Sequence, residues 1–326
     1  MEKFAIGVDL GGSNLRIGAY TQRGQLLDSV AFPTNAAFGH VPVIEKMCES
    51  IRALHQAASS TGEFAGVGIG SPGPLSLPDG VLHNPPNLPG WDGVELRREL
   101  TRRLPWPVWV ESDANVAALA ECRIGAGAEY GLSSLCMITL GTGVGGGIVL
   151  DGKLWHGLNG AAGEVGHGPL ILDGPACNCG ARGCLEVYAS ATAVVRRAQE
   201  LAVSDSAREG GQNLTAARIA QLASEGNAIA HQIYDEAGYA LGLGLANLIN
   251  TLNLPLYTIG GGVSAAWELF APRMFATIEE FSYVYRMSQP AQWEAFQRGR
   301  THVCRARLGS DAGLSGAALL PFQYGD

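Results

Sequence analysis

Charged residues are few and long apolar runs are absent in this chain of 326 residues. Only 16% of the residues are charged, and acidic residues outnumber basic ones by 30 to 22. The net charge of −8 argues against a nucleic-acid partner, because binding to nucleic acid needs a basic face. No apolar stretch reaches the ~18 residues that a membrane helix requires, so we expect no membrane partner.

The amino terminus also lacks the features of a secretory signal. A run of five residues, 4–8, is the only apolar stretch before Asp9, whereas a signal peptide has a longer apolar core and a cleavage site of small residues. The seven cysteines are an odd number, and three of them fall within eight residues. Reduced thiols with one metal cluster therefore fit better than a disulfide framework, and we expect a cytoplasmic protein.

Glycine, by contrast, is abundant, with 45 residues in discrete clusters. Residues 11–13 lie between two strand-like runs and predict a hairpin with a glycine turn. Residues 141–147 repeat the pattern in the second half, between strand-like runs at 135–140 and 148–150. The recurrence predicts two similar α/β domains that face each other across a cleft.

Apolar spacing predicts further elements around these turns. Residues 71–91 are rich in Pro, Gly and Asn and predict no regular element. The other predicted elements are helices over residues 41–60, 114–122 and 228–250, and strands over residues 67–70, 108–110 and 256–259.

The second glycine cluster matches G-x-G-x-x-G over residues 141–146, which is a weak signal alone. A dinucleotide site needs a helix directly afterwards, but a strand and a turn at Asp151 follow here. The motifs of protein kinases and of Walker A loops are absent from the sequence. Two interpretations stay open: plain tight hairpins, or turns whose bare backbone N–H groups bind phosphate, and one turn in each half favours the second.

Cys177, Cys179 and Cys184 lie close together, and His167 precedes the first of them by ten residues. Three cysteines and one histidine match a closed tetrahedral zinc site, which has no open position for water and is therefore structural. The alternative, buried inert thiols, is our interpretation for the remaining cysteines, Cys48, Cys122, Cys136 and Cys304.

Three carboxylates lie beside these elements. Asp113 follows a strand and begins a helix, so it is either directed towards the cleft or serves as a helix N-cap. Glu164 lies three residues before His167, and Glu186 lies two after Cys184. The loop of residues 177–184, called the zinc loop below, would hold both carboxylates in place. Carboxylates accept hydrogen bonds from sugar hydroxyls, although solvated loop acids are the plain alternative.

Together these residues resemble the ROK family of sugar kinases and sugar-responsive repressors, and among them its bacterial glucokinases most. The resemblance implies an α/β, two-domain actin/hexokinase-like (ribonuclease H-like) fold with an inter-domain cleft. The motifs that carry it, in the family's order, are residues 9–13 (D-L-G-G-S), 87–91 (N-L-P-G-W), 113–115 (D-A-N), 141–147 (G-T-G-V-G-G-G), 164–167 (E-V-G-H), 177–186 (C-N-C-G-A-R-G-C-L-E) and 260–262 (G-G-G).

The resemblance also implies domain boundaries. We expect a small amino-terminal α/β domain over residues 1–111, with residues 311–326 packing back on it. A larger domain over residues 112–310 would carry the zinc loop and form the interface of a homodimer.

The resemblance implies a role for each matching residue, with Asp113 as the catalytic base and His167, Cys177, Cys179 and Cys184 as the ligands of structural Zn²⁺. ATP and Mg²⁺ would be bound by Asp9, Gly11, Gly12, Ser13, Gly141, Thr142, Gly143, Gly145, Gly260 and Gly261. The sugar would be bound by Asn87, Ser112, Asp113, Glu164, His167 and Glu186. Two residues depart from the family's pattern. Ser112 lies where the family usually has Asn, and Asn14 lies where many members have Lys.

The implied reaction is ATP-dependent phosphorylation of an aldohexose at its 6-hydroxyl, with glucose as the expected acceptor. An N-acetylhexosamine, such as GlcNAc or ManNAc, or another hexose is the alternative acceptor within the family. A sugar-responsive repressor is the alternative from another class. It needs a helix-turn-helix domain before the kinase-like core, whereas eight residues precede Asp9 here.

Overall fold

Groups of strands and groups of helices follow one another along the chain in the computed structural model, which describes residues 2–201 and 214–325. The strands are β1 Lys3–Leu10, β2 Asn14–Thr21, β3 Leu26–Pro33, β4 Glu63–Ser71, β5 Leu75–Ser76, β6 Val81–Leu82, β7 Val108–Ser112, β8 Leu135–Leu140, β9 Val144–Leu150, β10 Lys153–Leu154, β11 Leu256–Gly260 and β12 His302–Arg305. The α-helices are α1 His40–Ala58, α2 Leu96–Thr101, α3 Asp113–Arg123, α4 Ala126–Tyr130, α5 Glu186–Ala189, α6 Ala191–Glu200, α7 Ala216–Ser224, α8 Ala228–Leu252, α9 Trp267–Phe281, α10 Tyr283–Ser288 and α11 Ala312–Tyr324.

These elements belong to two compact units of the chain. Unit 1 comprises Met1–Ser134, Gly147–Gly163 and Arg307–Asp326, and unit 2 comprises Leu135–Gly146 and Glu164–Ala306. The domain boundaries that we expect after residues 111 and 310 stay a proposal.

Unit 1 is built on a five-stranded sheet in the order β3-β2-β1-β4-β7. The first three strands are antiparallel, whereas β4 and β7 run parallel to β1. Alternate side chains of β1 point to opposite faces: Ile6 and Val8 join the core that includes α1, while Gly7 lies against Leu314 and Ala318 of α11. Helices cover both faces, which explains why β1 reads as an almost continuous apolar run.

Unit 2 contains three parallel neighbouring strands in the order β8-β11-β12. Helices α8 and α9 pack extensively against each other, and Asn227 caps α8 by accepting a 2.9 Å hydrogen bond from the Ala230 N–H. At 25 residues α8 is the longest described helix. Neither it nor any other helix in the described ranges is long and apolar enough to cross a membrane.

The predicted helices and strands are confirmed as elements, with two corrections. The second glycine turn is shorter than predicted, because β9 begins at Val144 and includes the last three glycines of the cluster. Gly147 packs so closely on α3 that a Cβ there would lie 2.6 Å from the Cβ of Ala118. Within residues 71–91, where we expected no regular element, β5 and β6 form a small antiparallel ribbon.

Candidate active site

The first glycine turn, residues 11–13, joins β1 to β2 in unit 1. The Gly11 N–H donates to the Asn14 carbonyl at 2.9 Å, which closes the hairpin. Thr34, which is buried, holds the turn twice: its hydroxyl donates to the Gly11 carbonyl at 2.6 Å, and its N–H donates to the Ser13 carbonyl at 2.9 Å. The hairpin is confirmed, and Thr34 is a supporting residue that sequence reasoning missed.

Asn87 lies directly against this turn. A Cβ on Gly12 would lie only 2.4 Å from the Asn87 carbonyl oxygen, so the chain can approach this closely only at glycine. The flanking Leu88 and Trp91 are fully buried, and the Trp91 indole N–H donates to the Ala36 carbonyl at 3.4 Å. The buried apolar residues of the motif at residues 87–91 therefore hold it in place, and Asn87 is exposed beside the turn.

Asp9, at the end of β1, is paired with Arg16 of β2. The two residues are opposite each other in the hairpin, and Arg16 Nε and Nη2 donate to Asp9 Oδ2 at 3.0 and 2.6 Å. Arg16 Nη1 also lies 3.5 Å from Oδ1 of Asp311, the residue just before α11. Arg16 was missed at the sequence level, although its place two residues after Asn14 puts both on the same face of β2.

Asp113 is presented by the junction between β7 and α3. The N-cap of α3 is Ser112, whose Oγ accepts a 3.2 Å hydrogen bond from the Asn115 N–H. Asp113 is the first residue of the helix; its side chain is exposed, and Oδ1 accepts from the Ala114 N–H at 2.7 Å. The capping alternative therefore belongs to Ser112, and the carboxylate of Asp113 faces solvent.

Glu111, two residues before Asp113, is a buried carboxylate that sequence reasoning missed. Its Oε2 accepts from Asn115 Nδ2 at 2.8 Å, and its Oε1 lies 2.6 Å from Nε2 of His156. The hydrogen bond to Glu111 raises the pKa of His156 above its usual value of 6.5, against the opposing effect of burial. The pair favours an imidazolium beside a carboxylate.

In unit 2 the predicted metal ligands come together. One donor atom from each of His167, Cys177, Cys179 and Cys184 lies within 4.8 Å of all the others. The Cys179 and Cys184 sulfurs are 3.7 Å apart, and Cys177 Sγ is 3.6 Å from His167 Nδ1. For a tetrahedral zinc ion bonded to sulfur at about 2.3 Å, two sulfur ligands are about 3.8 Å apart, so the residues fit zinc.

Glu164 and Glu186 both adjoin this metal set. His167 directs Nδ1 towards the cysteines, while its Nε2 lies 3.9 Å from Glu164 Oε2. Glu186 Oε1 lies 3.8 Å from Cys177 Sγ. The structure thus brings the two predicted sugar-binding carboxylates of unit 2 to the metal ligands, as their spacing in the sequence suggested.

The second glycine turn, residues 141–143, is held by the segment that follows the zinc loop. Glu186 Oε2 accepts from the Val144 N–H at 3.0 Å. The Ala191 N–H and the Thr192 hydroxyl donate to the carbonyls of Gly141 and Thr142, each at 2.8 Å. The first residue of α5 and the first two residues of α6 therefore position the turn, and Thr192 is another supporting residue missed at the sequence level.

The third glycine cluster lies beside the second turn. Gly260 ends β11 opposite Thr139 of β8, and Gly261 has a positive φ of 82°. A Cβ on Gly261 would lie 2.5 Å from the Leu140 carbonyl, one residue before the second turn. Gly145, by contrast, lies on β9 and outside the turn.

Comparisons with known proteins agree with this arrangement. The model of the ROK family matches residues 5–323. A glucokinase of Halalkalibacterium halodurans is 35% identical over 327 residues, which cover 98% of this chain and 95% of that protein. An N-acetylmannosamine kinase of Escherichia fergusonii is 30% identical and covers 97% of each chain.

Among solved structures, a ROK family glucokinase from Streptomyces griseus in complex with glucose and AMPPNP superposes with a TM-score of 0.77. It is 31% identical and covers 98% of this chain and 99% of its own. The fold is thus of the α/β actin/hexokinase-like class. Since the family match runs through both glycine turns and the metal ligands, the chain belongs to the ROK family.

Proposed function

We propose that this protein is an ATP-dependent sugar kinase that transfers the γ-phosphoryl group of ATP to the 6-hydroxyl of an aldohexose, with glucose as the first acceptor. The observation that carries the proposal is the geometry of Asp113: an exposed carboxylate at the start of a helix that Ser112 already caps. An exposed carboxylate at this position can accept a proton from a bound hydroxyl. The similarity to a glucokinase over almost the whole chain supports the same reaction.

In this reaction Asp113 accepts the proton of the 6-hydroxyl as that oxygen forms its bond to the γ-phosphorus. The bond between the γ-phosphorus and the oxygen that bridges to the β-phosphate breaks, and ADP leaves. Phosphoryl transfer depends mainly on positioning and on neutralising charge. We assign the positioning of the sugar to Asn87, Ser112, Glu164, His167 and Glu186.

We assign the phosphates of ATP to the two glycine turns, whose N–H groups can approach an anion closely. The adenosine would lie by Gly260 and Gly261. Asp9 would hold Mg²⁺, directly or through water, since carboxylate oxygen is a preferred ligand of this ion; bound Mg²⁺ neutralises charge on the phosphates. Arg16 contacts Oδ2 of Asp9, so we assign Oδ1 to the metal side.

We assign a structural zinc ion to His167 and the three cysteines. Four protein ligands at tetrahedral spacing leave no position for water or substrate. The ion would order a loop with little apolar core of its own and would thereby hold Glu164 and Glu186 in place.

We also propose that the protein acts in the cytoplasm as a homodimer, with the interface formed by residues 112–310. Size-exclusion chromatography with light scattering measures the mass directly. A monomer of 34.1 kDa at micromolar concentration would remove the dimer proposal.

A second acceptor class is favoured by one relative and by one residue of this chain. The N-acetylmannosamine kinase matches this chain over 97% of both lengths, and Ser112 is shorter than the Asn usual in the family. A shorter side chain leaves more space beside the sugar, so an N-acetylhexosamine is the alternative substrate.

A coupled assay with ATP, Mg²⁺ and a panel of sugars tests the proposal. The panel holds glucose, mannose, N-acetylglucosamine and N-acetylmannosamine, and Asp113→Asn serves as the inactive control. We expect a 6-phosphate product with the highest kcat/KM for glucose. A higher kcat/KM for an N-acetylhexosamine would make that sugar the substrate. If none of the sugars gives a product, the kinase proposal is overturned.

A further inference from the structure

Two buried carboxylates stand out in the described part of the chain, Glu111 and Glu121. The carboxylate of Glu121 is hydrogen-bonded to the backbone: its oxygens accept from the N–H groups of Ala126 and Leu308 at 3.0 and 2.7 Å. Glu111 is 3% exposed and is held by two side chains instead, those of Asn115 and His156. A buried carboxylate held by side chains can change its environment when one of them changes.

The Glu111–Asn115 hydrogen bond spans the junction that carries Asp113. Glu111 lies two residues before Asp113 on β7, and Asn115 lies two residues after it on α3. The Ser112 hydroxyl adds a second bridge across the same junction through the Asn115 N–H. Residues on both sides of Asp113 are therefore hydrogen-bonded to each other, which limits the movement of the backbone at this junction.

Resting on the proposed function, we propose that Glu111 and His156 are positioning residues for phosphoryl transfer: with Asn115 they hold the β7–α3 junction so that Asp113 keeps one orientation. His156 holds the outer end of this network. Its carbonyl accepts from the Ala162 N–H at 3.1 Å, so it also begins the turn at residues 156–162, just before Glu164.

Glu111 favours a cationic His156, because its carboxylate is hydrogen-bonded to the ring and attracts a positive charge. Glu111 faces it from β7, and on α3 Arg123 donates to the Gly152 carbonyl at 3.0 Å, near the start of the same segment. Tyr324 of α11 faces Glu111; burial, and then the charge of Glu111, raise the pKa of its hydroxyl. An imidazolium makes a stronger, charge-assisted hydrogen bond to Glu111 than a neutral ring does.

Deprotonation of His156 should therefore loosen the junction as the pH rises. The pKa of His156 is higher in the folded protein than its usual 6.5, so its stabilising effect is complete below that pH and is lost as the pH rises through the raised pKa. Wild-type kcat should decrease over this range. His156→Gln keeps an N–H donor but cannot titrate, so its kcat should not decrease there.

The test compares kcat, KM and Tm for the wild type and four variants. The pH runs from about 5 to about 9, a range that includes the usual pKa of His. We expect Glu111→Gln to lower kcat by about tenfold to a hundredfold, the loss typical of a misplaced catalytic group, with KM for sugar and ATP nearly unchanged. His156→Gln should retain more kcat than His156→Phe, which has no donor. His83→Gln is the matched control, because His83 is exposed and hydrogen-bonds Ser76 rather than a carboxylate.

The results separate this inference from the proposed function. If the wild type is active, and His156→Gln has the same kcat and the same decrease of kcat at high pH, the positioning role alone would be overturned. A wild type without kinase activity would overturn both. If His156→Phe fails to fold, the pH profile of His156→Gln and the kcat of Glu111→Gln decide the question.

Discussion

The turns at residues 11–13 and 141–143 both join two strands through glycine, but different parts of the chain support them. The first turn is held by Thr34 and by the backbone at Asn87, beside strands β1 and β2 that are buried in the core of unit 1. The second is held by Glu186, Ala191 and Thr192, which follow the zinc loop in the chain.

The difference concerns what keeps each turn in order. From Glu164 to Leu185, the buried apolar side chains among the described residues are Cys177, Cys184 and Leu185. So few apolar groups cannot order a segment of this length, whereas a bound metal can, because its binding free energy becomes folding free energy. Because β8 and β9 beside the second turn are buried like β1 and β2, we infer that the second turn depends on the metal in addition to packing, whereas the first depends on packing alone.

Asp113→Asn tests the catalytic base itself rather than the residues that support the site. Asp113→Asn removes the proton acceptor, while its amide oxygen can still accept from the Ala114 N–H. We expect kcat to fall by at least about a hundredfold, the usual loss for a general base. Tm and sugar affinity should change little, because Ser112 caps the helix. Near-normal turnover would remove Asp113 as the base and make Glu164 and Glu186 the next candidates.

Removing a zinc ligand should affect the second turn rather than the first. Cys179→Ala should release the metal and lower Tm by about 5 °C or more, which corresponds to ~1–2 kcal/mol for a protein of this size. Activity should also fall, since Glu164 and Glu186 adjoin the metal ligands. Cys304→Ala, on β12, is the control and should keep its zinc.

Metal analysis of untreated wild type completes this experiment. Less than about half an equivalent of zinc per chain would contradict a structural zinc site. Unchanged Tm in Cys179→Ala would contradict the dependence of unit 2 on the metal.

Alanine in place of glycine tests how closely each turn is packed. Gly12→Ala places a Cβ 2.4 Å from a backbone oxygen of Asn87, whereas in Gly143→Ala the 2.4 Å contact is with a carboxylate oxygen of Glu186, a side chain that can move. Overpacking against backbone costs about 1–3 kcal/mol. We expect kcat/KM for ATP to fall by about tenfold or more in Gly12→Ala, and by less in Gly143→Ala.

Gly262→Ala is the matched control for both substitutions, because a Cβ there meets nothing within 4 Å. Its steady-state kinetics should equal those of the wild type. Equal losses in Gly12→Ala and Gly143→Ala would show that the two turns are equally rigid.

The smallest effects should come from single hydrogen bonds. Thr34→Val and Thr192→Val each keep the side-chain shape but remove one hydroxyl that donates to a carbonyl of a turn. One such bond is worth about 1 kcal/mol, so KM for ATP should rise by about fivefold. Thr34 is buried and Thr192 exposed, so we expect the larger increase in Thr34→Val, and the reverse order would contradict the comparison.

Local patterns in the sequence predicted much of the site. Close spacing indicated the four metal ligands, and the structure brings them together. The glycine clusters predicted both turns, and helical spacing predicted α1, α3 and α8. These features depend on neighbours in the chain, since turns, helices and short metal loops are formed by residues close in sequence. The binding and catalytic roles themselves remain predictions.

Other residues that hold the site in place are brought to it only by the tertiary structure. Thr34 lies 23 residues from Gly11, His156 lies 45 from Glu111, and Thr192 lies 50 from Thr142. No local period relates such positions, because each partner is chosen by the packing of separate strands and helices. Local sequence thus indicated which residues could bind metal or form glycine turns, whereas the fold determined which distant side chains hold them in place.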